Sequence, residues 1–332
     1  MDGLFITVIL IVAFALVFDF INGFHDTANA IATSVSTKAL TPRRAIILAA
    51  IMNFVGALTF TGVAKTITGE IADPFKLNHG LLVIMAALIA AIAWNLATWY
   101  YGIPSSSSHA IIGAITGAVI SSAGFGAVHY SGFLKILEAL ILSPIIAFAA
   151  GFIIYGIIKM LFKNSNLTKT NKRFRMIQVL TAAVQSYAHG TNDAQKSMGI
   201  ITMALIAGGM HKSLEVPFWV QLSCAVAMAA GTSVGGWRII KTVGGKIMKI
   251  RPVNGVAADM TGAAVIFGAT LIHLPVSTTH VISSAILGVG SSHRVKGVNW
   301  GIAKQMIITW VITLPISALL SAVVFYILHL FF

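Results

Sequence analysis

Charged residues are scarce in this 332-residue chain: they make up 9% of it, and Asp and Glu together number only 9. Soluble globular domains carry about 25% charged residues, so this scarcity excludes an ordinary soluble domain. A single cysteine, Cys224, also excludes a framework of disulfide bonds within one chain. In place of charge the chain is 57% hydrophobic. This composition predicts an all-α polytopic membrane protein with about 10–12 membrane segments.

The remaining charge is mostly basic, with 22 Lys and Arg and a formal net charge of +13. The loops richest in Lys and Arg lie between apolar runs, around 38–44, 159–175, 238–251 and 294–304. This distribution argues against nucleic-acid binding and is typical of cytoplasmic loops under the positive-inside rule. It predicts a multi-pass protein of the cell membrane with its N-terminus outside. The opposite loops hold fewer basic residues together with several acids: Lys65, Lys76, Lys135, Lys212, Glu70, Asp73, Glu138 and Glu215.

Two stretches in the first half of the sequence each resemble a stretch in the second half. GFHDTANA at 23–30 resembles GTNDAQKS at 190–197. IPSSSSHAIIGAITG at 103–117 resembles LPVSTTHVISSAILG at 274–288. Because both matches occur in the same order and at nearly the same separation, they predict a duplication of half the chain.

The duplication divides the chain into a first repeat at 1–162, a basic cytoplasmic linker at 163–175 and a second repeat at 176–332. The distribution of Lys and Arg places each loop of the second repeat on the opposite side of the membrane from its counterpart in the first repeat. The two repeats are therefore predicted to have inverted topology. Inverted repeats with broken helices or re-entrant hairpins are typical of secondary transporters, which bind substrate at the repeat interface.

Carboxylates stand inside the apolar runs, where an acid at the middle of the membrane costs roughly 2.5–3.5 kcal/mol. Asp26 and Asp193 occupy matched repeat positions, and Asp19 lies in the same run as Asp26. A buried aspartate that caps a broken helix is the simple structural explanation. Hard oxygen ligands in a nearly dry site favour a small cation such as Na⁺, whereas a protonatable carboxylate would suit H⁺. The predicted cation ligands are Asp26, Asp193, Asn22, Asn192 and Asp259.

Runs of hydroxyl residues follow a proline in each repeat. Proline ends the incoming helix, and Ser or Thr is a good N-cap for the outgoing one. One cap needs only one hydroxyl, so the surplus predicts an anion site in which two helix N-termini hold one tetrahedral oxyanion. Lys196 would either neutralise that anion or pair with Asp193 or another carboxylate. The predicted anion ligands are Ser105, Ser106, Ser107, Ser108, Ser277, Thr278, Thr279, Asn29, Gln195 and Lys196.

Two other classes of function are open to this sequence. A membrane-embedded hydrolase would use Ser, His and Asp, but it needs only one nucleophile, and here the Ser-rich segments are duplicated. A passive anion channel would use the same anion ligands without a coupling cation. The predicted function is therefore secondary-active transport and not enzymatic.

At these residues the sequence resembles the inorganic phosphate transporter (PiT) family. That family carries a GANDVANA-like signature in each half, each followed by a GxPxSxxH-like segment. The corresponding stretches here are GFHDTANA, GTNDAQKS, YGIPSSSSH and HLPVSTTH, and WRIIKTVG from Trp237 is similar to a further family pattern. The resemblance covers both halves of the chain.

The resemblance implies symport of inorganic phosphate with Na⁺ or H⁺ by a homodimer without a resident cofactor. We predict Na⁺ as the coupling ion, with H⁺ coupling or transport of sulfate as alternatives. Asp259 matches a family position that is often Glu. Asn53 stands where the family has another such Glu, and Gln195 and Lys196 depart from the family signature, and these departures bear on the coupling ion.

Overall fold

A computed structural model describes residues 2–71 and 79–331, which leaves Asp73 and Lys76 outside the described residues. These residues form twelve α-helices, and the described ranges contain no strand, so the predicted all-α fold is confirmed. In the first half the helices are α1 Asp2–Ser36, α2 Pro42–Ala57, α3 Gly62–Glu70, α4 Gly80–Tyr101, α5 Ser107–Ala123 and α6 Tyr130–Leu161. In the second half they are α7 Leu167–Ala207, α8 Phe218–Val234, α9 Trp237–Gly245, α10 Pro252–Leu271, α11 Thr278–Arg294 and α12 Trp300–His329.

The two halves repeat one order of elements. Each half begins with a long helix, continues with a pair of helices joined at a sharp bend, and ends with three further helices. The bend is 66° between α2 and α3 and 72° between α8 and α9. The prediction of broken helices is confirmed by these two bent pairs. The opposite orientation of the halves in a membrane stays a prediction.

The predicted basic linker at 163–175 runs into the start of α7. Asn166 caps that helix, because its side-chain oxygen accepts the backbone N–H groups of Thr168 at 3.0 Å and Lys169 at 3.2 Å. A capping Asn stabilises a helix start by satisfying free N–H groups. The second half of the basic segment is therefore helical and continuous with the apolar part of α7.

The outer surface is apolar along several helices. Of the described helices, α1, α4, α6 and α12 are each long and apolar enough to cross a membrane, and each bent pair could form one further span. Large aliphatic side chains are strongly exposed on this surface: Leu180 is 66% exposed, Leu319 68% and Val311 69%. Apolar surface of this extent is stable against lipid but not against water. The chain is therefore a multi-pass membrane protein.

Helix α1 runs without interruption through the first signature motif, GFHDTANA, and α7 runs without interruption through the second, GTNDAQKS. Asp26 and Asp193 consequently lie in mid-helix, and neither caps a broken helix, which removes the simple structural explanation for them. The chain unwinds instead after α4 and after α10. Each unwound stretch leads into a run of hydroxyl residues, at 105–108 and at 277–279, and these two runs are called the hydroxyl segments. The signature helices pack against these unwound segments, and this packing creates the candidate site.

Close packing of α1 against α8 depends on two glycines. A Cβ atom built on Gly231 would lie 1.9 Å from the carbonyl oxygen of Phe20, and one built on Gly23 would lie 2.4 Å from that of Met228. Contacts this short are sterically forbidden, so the helices would have to separate. The α1–α8 crossing positions the helix that carries Asp26.

We therefore expect Gly231→Ala to destabilise the protein by about 1–3 kcal/mol, because an added methyl group cannot be absorbed by backbone atoms. The measurement is the thermal unfolding midpoint of the purified protein in detergent. Gly268→Ala is the matched control, since among the described residues, apart from the neighbouring turns of its own helix, no atom lies within 4 Å of its added Cβ. A Gly231→Ala protein as stable as the control would contradict the tight crossing.

Candidate ion-binding site

The two signature motifs meet in the interior of the helix bundle. Asp26 is 2% exposed and Asp193 is fully buried. One carboxylate oxygen from each and a ring nitrogen of His189 lie within 4.8 Å of one another. The internal repeat predicts this pairing of matched positions from the two halves, which brings two carboxylates together in the interior.

Asp26 accepts hydrogen bonds from both hydroxyl segments. The Ser107 hydroxyl donates to Oδ2 at 3.0 Å, and the Thr279 hydroxyl donates to Oδ1 at 3.0 Å. The neighbouring His25 places Nδ1 2.8 Å from the same Oδ1. A single carboxylate from the first half therefore connects the starts of α5 and α11.

Asp193 has a different set of partners. Lys196 donates from Nζ to Oδ1 at 2.6 Å, and both side chains are buried. Oδ2 accepts from the Thr278 hydroxyl at 3.2 Å and from Asn22 Nδ2 at 3.4 Å. Lys196 is thus an ion-pair partner of Asp193, one of its two predicted roles. The ammonium already neutralises the aspartate of the second half.

The hydroxyl segments cap the helices that follow them, as predicted. Ser106 accepts the backbone N–H of His109 at 3.1 Å, and Ser277 accepts that of His280 at 3.2 Å. The two segments also touch each other, because the Ser108 hydroxyl donates to the carbonyl of Val276 at 2.8 Å. Two helix N-termini, each with positive dipole potential, therefore converge beside the buried aspartates.

Aromatic rings close the far side of these helix starts. The rings of His109 and His280 lie 4.4 Å apart, and His280 stacks on Trp310 at 4.1 Å. Trp310 in turn donates its indole N–H to the carbonyl of Pro104 at 3.3 Å. The aromatic contacts fix the first turns of α5 and α11 relative to one another.

Asn29, the repeat counterpart of Lys196, lies in the same cluster. Its Nδ2 donates to Thr279 at 2.8 Å and lies 3.5 Å from the hydroxyl of Thr278. An amide therefore stands in the first half where an ammonium stands in the second. This difference makes the two halves of the site chemically unequal despite their common pattern.

Several predicted ligands serve other contacts. Ser105 lies 2.7 Å from the Thr98 hydroxyl and 3.4 Å from His25 Nε2. Gln195 accepts the backbone N–H of Ala64 at 3.1 Å and donates to the carbonyl of Thr191. These two side chains hold the surrounding helices in place.

Asn192 supports the second hydroxyl segment. Its Nδ2 donates to Thr270 at 3.1 Å and to the carbonyl of Leu274 at 3.2 Å, while its Oδ1 accepts the N–H of Val276 at 3.3 Å. The contacts with Leu274 and Val276 fix the unwound chain that leads to α11, and the contact with Thr270 holds the end of α10. Asn192 therefore shapes the site through the backbone of this segment.

Asp259 forms a separate polar cluster. It is fully buried, and it accepts hydroxyl hydrogen bonds from Thr33 at 2.6 Å and from Thr181 at 3.1 Å. Hydroxyl donors of this kind stabilise a buried carboxylate. Thr33 lies on α1, one turn after Asn29, and Thr181 lies on α7, about three turns before Asp193. Asp259 therefore joins α10 to α1 and α7.

His189 is a site residue that the sequence analysis missed. Its Nε2 lies 3.3 Å from Asp193 Oδ2, and its Nδ1 lies 3.1 Å from Asn53 Oδ1. The signal was present in the repeat, because His189 stands one turn before Asp193 just as Asn22 stands one turn before Asp26. Asn53 also donates to Thr232 at 3.0 Å and so connects α2 and α8 to this histidine.

Comparison with known proteins gives matches along nearly the whole chain. The model of the phosphate transporter family matches residues 22–321. A probable low-affinity inorganic phosphate transporter of Bacillus subtilis (strain 168) is 74% identical over 333 residues, covering 100% of both chains. A protein of the same description from Rhizobium meliloti (strain 1021) is 45% identical over 318 residues, covering 95% of each chain.

A solved structure described as the sodium-dependent phosphate transporter has the same architecture. It matches with a TM-score of 0.87 and 25% sequence identity, over 98% of this chain and 100% of that chain. The similarity extends over the whole arrangement of helices that positions the two aspartates and the two hydroxyl segments.

Proposed function

The chain belongs to the phosphate transporter family, and on that premise we propose that it imports inorganic phosphate together with Na⁺ as a secondary-active symporter. Membership in a family of transporters confirms the prediction that the protein is not an enzyme. The direction of transport and the coupling to Na⁺ are parts of the proposal.

One observation carries this proposal: Ser107 and Thr279, from the two hydroxyl segments, both donate to Asp26 at 3.0 Å. A hydroxyl group has a single proton to donate. While that proton is directed at Asp26, it is not available to a phosphate oxygen. A cation on Asp26 competes for the same carboxylate oxygens and so releases both hydroxyls toward an arriving anion.

Phosphate would then lie between the starts of α5 and α11. Ser107 and Thr279, once released from Asp26, would donate to its oxygens, together with free backbone N–H groups of the two helix N-termini. A cation already bound beside Asp26 would reduce the cost of bringing one to two negative charges into the membrane interior. We therefore propose that Na⁺ binds before phosphate.

Na⁺ is the preferred coupling ion because the ligands around Asp26 are hard oxygen atoms, which suit cations of this kind. The structural relative described as sodium-dependent supports the same choice. One observation favours H⁺ instead: Lys196 already places a positive charge 2.6 Å from Asp193. This leaves less negative charge in the cluster to hold metal cations.

The transport cycle would consist of rocking of one repeat against the other around the central site. The proposed assembly is a homodimer in the cell membrane, with the N-terminus outside and the 163–175 segment in the cytoplasm. The distribution of basic loops supports this orientation.

The test is uptake of labelled phosphate into proteoliposomes in which Na⁺ and pH gradients are imposed separately. We expect an inward Na⁺ gradient to accumulate phosphate above its equilibrium level, and excess unlabelled phosphate to compete better than sulfate. K⁺ or choline in place of Na⁺ is the control. Accumulation of phosphate driven by a pH gradient alone, with no response to Na⁺, would reject Na⁺ coupling and support the H⁺ alternative.

A further inference from the structure

A cavity of about 330 Å³ opens among the basic segments, at the end of α1 that follows the signature motif. Three exposed cationic side chains from separate parts of the fold line it. Lys38 follows the end of α1, Arg175 lies on α7, and Arg251 directly precedes α10. The other polar residues of its lining are Ser36, Thr37 and Asn171.

The sequence stretches that carry these cations contain no carboxylate to pair with them. Residues 37–44, 163–175 and 238–251 include no Asp or Glu. Repulsion among like charges is relieved when an anion lies between them. The positive-inside rule explains why basic residues collect on one side of a membrane protein. It does not explain why cations from three distant stretches of the chain converge on a single cavity.

Lys38 adopts a backbone conformation that favours glycine. Its φ is +56°, and the N–H of Ala39 donates to the carbonyl of Ser34 at 2.9 Å, which closes the end of α1. Glycine is the usual residue in this left-handed helix ending, because a side chain there costs roughly 1–2 kcal/mol. A lysine therefore stands against the local backbone preference at a position whose side chain lines the cavity.

The lining matches the chemistry of a phosphate group. A guanidinium presents a planar fork of N–H groups that pairs with two phosphate oxygens, and an ammonium is a common phosphate ligand. Arg251 also stands at the start of a helix of 20 residues, whose N-terminus has positive dipole potential. The cavity has the volume of roughly ten water molecules, so a phosphate group fits with water around it.

Polar side chains connect this cavity to the central site. Thr37 donates to Gln178 Oε1 at 2.7 Å, and the Gln178 side chain lies against Asp259. Thr33 donates to Asp259 at 2.6 Å and stands one turn after Asn29, which belongs to the central cluster. The contacts of Asp259 would therefore have to open for an anion to pass from the central site to the cavity.

We propose that the cavity lined by Lys38, Arg175 and Arg251 is a second anion site, which binds a phosphate group. This inference rests on the proposed transport of phosphate and adds a position for the anion beyond the contacts of Asp259. The phosphate group belongs either to the transported phosphate or to the headgroup of an anionic lipid, because both present the same charged oxygens. The polar connection to the central site favours the transported phosphate. The negative charge of Asp259 would then oppose its return.

The test follows the reactivity of one thiol in the cavity of the purified chain. The parent variant is Asn171→Cys/Cys224→Ala, since Asn171 lies one turn before Arg175 on α7 and Cys224 is the single native cysteine. The measurement is the rate of its reaction with N-ethylmaleimide in Na⁺-free choline buffer of constant ionic strength, with and without inorganic phosphate. We expect saturating phosphate to slow the reaction about fivefold or more, because a bound anion covers the thiol.

Further substitutions in the parent variant identify the ligands. Arg175→Gln should abolish the protection by phosphate. Arg173→Gln removes the same charge two residues away on α7, outside the lining of the cavity, and should retain the protection. Lys38→Gly should also abolish it, and this variant should fold at least as stably as the parent, because glycine suits the left-handed turn. Asp26→Asn should retain it. Unchanged protection in Arg175→Gln and Lys38→Gly would overturn the second anion site.

Two lipid compositions identify the source of the phosphate group. In nanodiscs of phosphatidylcholine, free phosphate should protect the thiol as it does in detergent. In nanodiscs of phosphatidylglycerol, protection without added phosphate that Arg175→Gln abolishes would assign the anion site to a lipid headgroup. Absence of protection by either source would overturn the site.

Na⁺-driven phosphate uptake by the parent variant separates this inference from the proposed function. A protein that accumulates phosphate with Na⁺ but shows no protection of the thiol would overturn the second anion site alone. A protein whose thiol is protected but whose uptake ignores Na⁺ would reject the proposed coupling and retain the second anion site.

Discussion

Asp26→Asn is expected to reduce phosphate uptake by about 100-fold, the equivalent of roughly 3 kcal/mol, without reducing the amount of protein in the membrane. The substitution removes the negative charge that would hold the coupling cation. It also presents an amide N–H₂ toward Ser107 and Thr279, the hydroxyls that donate to Asp26 at 3.0 Å. Asn has almost the same shape as Asp, so the helix packing around position 26 should persist.

The measurement is initial uptake of labelled phosphate by cells or proteoliposomes, normalised to protein abundance. Glu215→Gln is the matched control, since Glu215 pairs with Lys65 at 3.4 Å on the surface and its side chain is 78% exposed. That variant should transport normally. Normal uptake by Asp26→Asn would remove the central aspartate from the proposed site.

Lys196→Met is expected to lower the stability of the protein by about 3–5 kcal/mol, because it leaves a buried charge without its partner. Lys196 and Asp193 are 1% and 0% exposed, and their charged atoms are 2.6 Å apart. Removal of the charge of Asp193 as well should recover much of this loss, so the double variant Lys196→Met/Asp193→Asn should be more stable than Lys196→Met.

Thermal unfolding of the purified single and double variants gives the comparison as a double-mutant cycle. Lys65→Met is the control for loss of an exposed ion pair, and its effect should be below about 1 kcal/mol. If Lys196→Met were as stable as the double variant, the ammonium would not be compensating the charge of Asp193.

Much of the architecture could be predicted from the sequence, because its signals are short local patterns that occur once in each repeat. The apolar runs give the helices, and Pro104 and Pro275 mark the two unwound segments. Ser106 and Ser277 cap the helices that follow, as their hydroxyls predict. The repeated position of Asp26 and Asp193 predicted that these residues would meet.

Other features depend on packing between distant segments and have no local signal. Gln195 contacts the backbone at Ala64 because α3 bends back against α7. Asp259 finds hydroxyl partners on two other helices and so forms a cluster of its own. The continuity of α1 through Asp26 was also not predictable, because a polar cluster in an apolar run is compatible with a break or with an unbroken helix.

Asp19 illustrates a second limit of prediction from the sequence. Its presence in an apolar run is plain in the sequence, but its counterpart in the second repeat is Ser186, so the duplication gives it no support. Only the folded chain shows that this carboxylate is fully buried and that Ser197 and Cys224 lie against it. A buried acid without a repeat partner is therefore recognisable as unusual only in the folded chain.

The proposed order of binding connects these elements into one mechanism. Asp26 accepts hydrogen bonds from Ser107 and Thr279 and so holds the starts of α5 and α11 together. Na⁺ would take over the carboxylate, and phosphate would take over the hydroxyls. In this proposed mechanism the binding of each ion favours the other, so their affinities would be linked reciprocally.

Equilibrium binding of labelled phosphate to the purified protein, with and without saturating Na⁺ at constant ionic strength, tests this linkage most directly. The proposed mechanism predicts that Na⁺ increases phosphate affinity by about tenfold or more in wild type, a coupling of at least about 1.4 kcal/mol. It also predicts that Asp26→Asn binds phosphate with little response to Na⁺. Phosphate affinity in wild type that is the same with and without Na⁺ would contradict the account.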